Sequence, residues 1–193
     1  MAPTLPTPAP LAERRRTLLA QRQAWSLTDA AAAAQTALEK RLQDVLSEVE
    51  PQVLGVYWPM KGEFNPCMLA QWAQEALDCQ IALPRARKSP PDMIFTMWDG
   101  QTPKTYDEWG IPSPEGPPVV PDVLIAPCLG FTANGFRLGY GGGYYDRYLG
   151  KHPDICALGA AWDEGLLGPE EFSPQSHDVP FVAVFTPSHT WGE

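Results

Sequence analysis

Val53-Leu54-Gly55-Val56-Tyr57-Trp58-Pro59, then Met68 through Leu77, then Gln80-Ile81-Ala82-Leu83-Pro84: two short apolar runs flank a segment of helical character. A strand that returns beside its predecessor after a helix runs parallel to it, so this stretch predicts a βα unit and a mainly parallel sheet. Working outward, Met93–Trp98, Val123–Pro127, Ile155–Ala161 and Phe181–Phe185 also read as strands. Several of these runs are apolar without alternation, as expected of strands covered on both faces. The predicted fold is α/β, a Rossmann-like three-layer sandwich with a mainly parallel central sheet. Ligands of such sheets bind at the carboxyl ends of the strands.

Upstream, residues 1–9 carry three prolines and are expected to be a disordered tail, leaving 10–193 as a single α/β domain. A helix is expected from about Leu11 to Ala24. Ser26-Leu27-Thr28-Asp29 resembles a capping box and predicts a second helix reaching about Ser47, with Leu38, Leu42 and Val45 as its apolar stripe. Residues 112–121 hold five prolines and read as a loop or lid.

Fourteen basic and 23 acidic residues give a net charge of −9, which argues against a nucleic-acid partner. The basic residues are nevertheless clustered, as Arg14-Arg15-Arg16, as Arg85, Arg87 and Lys88, and at Arg137. In an acidic chain such islands suit an anionic small ligand, although a solvated helix face explains the first island equally simply. No apolar run approaches a membrane span and none at the start resembles a signal peptide, so a cytoplasmic protein without membrane contact is expected, and a monomer. Cys67, Cys79, Cys128 and Cys156 are far apart and read as free, buried thiols.

The chemistry concentrates in Arg137-Leu138-Gly139-Tyr140-Gly141-Gly142-Gly143-Tyr144-Tyr145-Asp146. Four glycines in five positions let the backbone turn through positive φ and present successive N–H groups, which is how a chain cradles phosphates. Arginine pairs with phosphate, tyrosine stacks on flat rings and aspartate holds Mg²⁺. The spacing is neither that of a Walker loop nor clearly that of a dinucleotide fingerprint. A flexible surface loop is the plain alternative. Other candidates follow predicted strands: Glu63 after the first, and Arg85 and Arg87 after the second. His177-Asp178 precedes the last. His177 has no identifiable partner and reads as a hydrogen-bonded loop residue, and no hydrolase elbow or triad order is present.

Together these segments resemble the 5-formyltetrahydrofolate cyclo-ligases, also called methenyltetrahydrofolate synthetases, from about Arg14 to Thr186. The glycine motif carries most of the resemblance. Phe131 and Gly135, Trp109-Gly110-Ile111-Pro112-Ser113-Pro114 and Ser176-His177-Asp178-Val179-Pro180 support it in the family's order. The resemblance implies ATP- and Mg²⁺-dependent conversion of 5-formyltetrahydrofolate to 5,10-methenyltetrahydrofolate, with release of ADP and phosphate. The formyl oxygen would attack the γ-phosphate, the neighbouring folate nitrogen would close the ring, and phosphate would leave without any side-chain nucleophile. It further implies that Arg14, Arg15 and the tract Arg137, Leu138, Gly139, Tyr140, Gly141, Gly142, Gly143, Tyr144 and Tyr145 bind ATP. Trp58, Glu63, Trp109 and residues 140–144 would contact the reduced folate, and Asp146 and Asp178 would hold Mg²⁺.

Two positions depart from the family pattern. Leu11 stands where a lysine or arginine is usual, and Val182, inside a predicted strand, where a second aspartate is usual. They motivate an alternative, a non-catalytic folate-binding module of the same fold. A different α/β enzyme acting on sugar phosphates or coenzyme A is a third reading, and it lacks an evident base.

Overall fold

At the centre of the sheet lies β1 (Val53–Gly55), which pairs in parallel with β2 (Gln80–Arg87) on one side and β5 (Val123–Pro127) on the other. The computed structural model describes residues 11–192, so the tail expected at 1–9 lies outside the described residues. Beyond β5 come β8 (Cys156–Ala160) and β9 (Ala183–Phe185), both parallel, and an antiparallel edge strand β10 (Thr190–Trp191). Beyond β2 come β3 (Asp92–Trp98) and β4 (Pro118–Val119), both antiparallel. The order is β10-β9-β8-β5-β1-β2-β3-β4, with five parallel strands in the middle. A two-stranded ribbon, β6 (Gly130–Phe131) and β7 (Arg137–Leu138), stands apart.

Two layers of helix cover this sheet. The Leu38, Leu42 and Leu46 stripe of α2 (Asp29–Val49) and Leu69, Ala70 and Ala73 of α3 (Cys67–Leu77) pack on Leu54, Ile81, Leu83, Val123 and Ile125. On the opposite face Tyr148 and Leu149 of α4 (Tyr144–Lys151) pack on Ala82, Phe95, Leu124, Ala126 and Ala157. The three-layer α/β sandwich with a mainly parallel sheet is therefore present. The near-continuous burial of β5 follows from its having cover on both sides. Gly55 is fixed by the same crowding: a Cβ there would lie 2.7 Å from Pro121 and 3.1 Å from Phe95.

Several local expectations need correction. β1 ends at Gly55, with Val56 still donating to the Ala82 carbonyl before Tyr57–Pro59 leave the sheet, whereas β2 continues to Arg87 in a hairpin with β3. Arg85 and Arg87 thus lie within a strand and not after one, and they pair with Glu115 and Asp92. α1 (Leu11–Trp25) and α2 form nearly as expected, but Thr28 makes no side-chain cap; its hydroxyl donates to the carbonyl of Trp25 instead. Val45 is at the margin of the α2 stripe, which Leu46 completes. The proline-rich 112–121 segment contributes the edge strand β4. Val182 precedes β9 and is 55% exposed. All four cysteines are free; Cys79 and Cys128 are buried, Cys67 and Cys156 only partly.

Candidate functional site

The chain leaves β1 towards β2 on one side, and its neighbour on the other side is β5, so the sheet's topological switch point lies between the carboxyl ends of β1 and β5. The segment after β1 carries Trp58, Lys61 and Glu63. The segment after β5 carries the β6–β7 ribbon and the glycine tract, which leads into α4.

α1 closes this crevice. Its sequence, rich in Ala, Leu, Gln and Arg, favours helix and places Arg15, Leu18 and Arg22 on one face at spacings of three, four and seven. Leu18 packs with Leu129, Leu138, Leu167 and Phe172, which seats the helix against the ribbon. Arg15 Nε then donates to the carbonyl of Gly139 at 2.9 Å. Arg14 is directed to Glu171 at 2.8 Å rather than to the glycine tract.

The tract is shaped as the glycines allow. Gly141 has φ 94° with the Arg15 guanidinium beside it, and Gly143 has φ 62° as the residue preceding α4. A side chain at either would be strained. No side chain caps α4, so its first amides are available to an anion. Gly141, Gly142, Gly143, Asp146, Arg147 and His177 line a cleft of about 390 Å³ at this point. Arg147 donates to the carbonyl of Gly142 at 2.6 Å and lies 5.0 Å from the Tyr144 ring centroid.

Arg137 and Asp146 meet beneath the tract, Nη2 donating to Oδ2 at 2.7 Å. The guanidinium also lies 5.1 Å from the Tyr145 ring centroid and 5.7 Å from that of Phe181, and its Nε is buried with no partner among the described residues. Asp146 Oδ1 receives the amide of Val179 at 3.5 Å, which brings the Asp178 segment to the same wall. Asp178 Oδ2 accepts from the amide of Gln175 at 2.7 Å. His177 is largely exposed, its Nε2 3.7 Å from Asp178 Oδ1, so it is a cleft-lining residue and not the hydrogen-bonded loop histidine expected. No group of three or more acidic, His or Cys side chains gathers as a metal site among the described residues.

Glu63 is the most buried charge of the site, its side chain 2% exposed. Oε2 accepts from the amide of Met60 at 2.8 Å and Oε1 from the hydroxyl of Tyr140 at 2.6 Å. The guanidinium of Arg22 stands 3.6 Å from Oε1; it also donates to the Tyr140 hydroxyl and, through Nε, to the carbonyl of Lys61 at 3.1 Å. Burial raises the Glu63 carboxyl above its ordinary value, against the pull of Tyr140 and Arg22. Burial, followed by the Glu63 charge, likewise pushes the Tyr140 phenol far up, so that it is a protonated donor. Lys61 lies 5.4 Å from the Tyr140 ring centroid.

Aromatic residues border this polar core. Trp58 sits edge-on to Trp98 at 6.3 Å and is partly buried. Trp109 is 54% exposed, and its indole N–H donates to the Tyr144 hydroxyl at 2.7 Å. The Tyr144 hydroxyl itself donates to the carbonyl of Arg87. Trp109 is thus tied to the tract and Trp58 to the β3 end of the sheet. Arg22, Lys61 and Arg147 are the site residues that motif reading passes over. Arg22 had a legible signal: it lies seven residues from Arg15 on the same helix face.

Comparison with known proteins places the chain among relatives of one family. A profile of the 5-formyltetrahydrofolate cyclo-ligase family matches residues 10–187. A protein named 5-formyltetrahydrofolate cyclo-ligase from Mycolicibacterium smegmatis is 30% identical over 152 residues, 72% of this chain and 76% of that one. One of the same name from Escherichia coli K12 is 43% identical over 72 residues, a match spanning 36% of this chain and only 38% of that protein's length. Two solved structures share the fold. The 5,10-methenyltetrahydrofolate synthetase of Aquifex aeolicus has a TM-score of 0.76 at 22% identity, over 94% of this chain and 92% of that one. That of Mycoplasma pneumoniae has a TM-score of 0.72 at 20% identity, over 93% and 99%. With the profile running from the start of α1 to the end of β9, the chain belongs to the 5-formyltetrahydrofolate cyclo-ligase family.

Proposed function

We propose that this protein uses ATP, with Mg²⁺, to convert 5-formyltetrahydrofolate to 5,10-methenyltetrahydrofolate, releasing ADP and phosphate. The observation that carries the reading is that the glycine tract is held at two adjacent residues, by a cation at Gly139 and by a buried carboxylate at Tyr140. Its Gly139 carbonyl is gripped by Arg15 and its Tyr140 hydroxyl by Glu63. A loop suited to cradle phosphates and a buried carboxylate that would accept from a donor-rich heterocycle are thereby joined through neighbouring residues, which supports a shared site.

The amides of residues 139–145, Arg15 and Arg137 would bind the ATP phosphates, and the Nε of Arg137, buried without a partner among the described residues, would be a further donor. Glu63 would accept from the pterin edge, with Trp58, Trp109 and Tyr144 around it. The reaction needs in-line approach of the formyl oxygen to the γ-phosphorus, followed by ring closure and loss of phosphate. These residues contribute alignment and charge neutralisation rather than a nucleophile. Asp146, which lines the cleft, and Asp178, whose neighbour Val179 donates to Asp146, would supply hard oxygen donors. That set suits Mg²⁺, which takes one or two carboxylates together with phosphate oxygens. When bound, Mg²⁺ neutralises the phosphate charge.

Among the described residues no helix is long and apolar enough to cross a membrane. A cytoplasmic monomer with a reduced folate as its small-molecule partner completes the proposal. The test is absorbance in the methenylfolate band after mixing protein, 5-formyltetrahydrofolate and Mg²⁺. A rise that requires ATP supports the cyclo-ligase. A flat trace with folate binding intact by calorimetry identifies the non-catalytic module, for which Leu11 and Val182 are the residues to revert.

A further inference from the structure

We propose that Arg22 is a positioning residue for the folate substrate, holding Glu63 and the Tyr140 hydroxyl as one preorganised acceptor unit. The inference rests on the reading that Glu63 receives the pterin.

Arg22 is unusual among the arginines of α1. It lies on the helix interior, 7% exposed, with its guanidinium directed into the site and not at solvent. A buried arginine is costly unless its donors are used. Here they reach the Tyr140 hydroxyl, the Lys61 carbonyl and the vicinity of Glu63, which belong to two different loops. Arg22 therefore fixes the segment after β1 to the glycine tract. Its planar fork suits this role, since one guanidinium can address several acceptors in fixed directions. Arg15, two helical turns earlier on the same face, grips the neighbouring Gly139 carbonyl. α1 thus holds the tract at two successive residues, one on the phosphate side and one on the folate side.

As the tract stands, each oxygen of Glu63 accepts one hydrogen bond, from Met60 and from Tyr140, and keeps a further lone pair with which to accept from a pterin. Arg22 keeps the carboxylate aimed and compensates its buried charge. The other ionisable groups facing Glu63 are Tyr57 and Lys61 from the segment after β1, Cys128 after β5, Tyr140, and Tyr145 of α4. Among these groups Arg22 and Lys61 are the cations, and the Lys61 influence on Glu63 is the weaker.

The test compares wild type with Arg22→Met and Arg22→Lys. Binding of 5-formyltetrahydrofolate is measured by calorimetry without ATP across pH, together with ATP binding, KM, kcat and thermal melting. Arg22→Met is expected to weaken folate binding about tenfold or more, the loss of a charge-assisted hydrogen bond. ATP affinity should stay within about twofold, since Arg15 is untouched. The pH at which folate binding is half lost on acidification should move upward in Arg22→Met, because a cation that favours ionised Glu63 is gone. Arg22→Lys should restore that pH and recover only part of the affinity. Equal loss of folate and ATP binding with a lowered melting temperature and an unmoved pH profile would mean a structural role and overturn the proposal, as would wild-type folate binding in Arg22→Met. Failure of wild type to bind formylfolate would overturn the assignment of Glu63 to the pterin, a separate outcome read in the same titration.

Discussion

Arg137 and Asp146, nine positions apart, close on each other at 2.7 Å and so turn the glycine tract between them into a tied loop. Their side chains are only 6% and 14% exposed, and the Arg137 guanidinium is further enclosed by Tyr145 and Phe181. The two charged ends of the sequence motif thus have a structural duty in addition to any ligand they bind.

That double duty separates two substitutions. Asp146→Ala leaves Arg137 buried without its partner and is expected to cost about 3 kcal/mol of stability. Asp146→Asn keeps an acceptor and should cost about 1–2 kcal/mol. Both should abolish ATP-dependent turnover by weakening Mg²⁺ binding. Urea melts give the first comparison and Mg²⁺-dependent rates the second; wild-type activity of Asp146→Asn at low Mg²⁺ would refute the metal role.

Arg15 and Gly141 meet across the tract, and each can be changed without disturbing the core. Arg15→Ala removes a donor to Gly139 and a cation from the proposed phosphate side, so the KM for ATP should rise about tenfold or more. Gly141→Ala forces a side chain into φ 94° and should also weaken ATP binding, with the folate affinity less affected. Paired titrations of ATP and folate would contradict this if both ligands weakened equally.

The fold was legible in the sequence wherever the pattern was local. The apolar runs from Val53 to Phe185 became strands of the main sheet, because strands covered on both faces show themselves by continuous apolarity. Where a strand ends is set by its partners instead. Tyr57–Pro59 look as strand-like as Val53–Gly55 but turn away from the sheet, and β2 runs to Arg87 because β3 pairs with it from Ile81 onward. The glycine tract was legible by its composition, and Glu63 by family resemblance. Arg22 was legible only through its seven-residue spacing from Arg15, since an arginine on a polar helix resembles a solvated one until the tertiary structure covers it. The same limit applies to Arg14, whose partner Glu171 lies 157 positions away.

Two glycines near the tract should respond oppositely to alanine. At Gly135 a Cβ would sit 2.5 Å from the Phe181 carbonyl oxygen, and φ is 79°. Backbone cannot move aside cheaply, so Gly135→Ala should cost about 2 kcal/mol or more. At Gly150, within α4, nothing lies within 4 Å of the added methyl. Gly150→Ala should stabilise by about 0.5–1 kcal/mol through helix propensity. Denaturant midpoints that moved in the same direction would contradict the pair.

Glu63 should leave a signature in the pH dependence of stability. Its carboxyl is raised in the folded protein from the ordinary 4.5, first by burial. The folded state therefore binds the proton more tightly than the unfolded chain, and stability falls as pH rises from about 4.5 through the raised folded value. Above that window the buried carboxylate remains ionised at a cost, which would be repaid on the proposed reading, where an ionised acceptor suits the donor edge of a pterin. Glu63→Gln has no such proton to lose. The stability of wild type minus that of Glu63→Gln should decline with pH across the window and then level, while folate binding in the variant falls about tenfold or more. The Tyr140 phenol does not interfere, since it is raised and titrates only in strong alkali. Urea unfolding of both proteins at intervals from pH 4 to 8 measures the difference directly. A difference that rises with pH would mean that Arg22 and Tyr140 outweigh burial at this carboxylate.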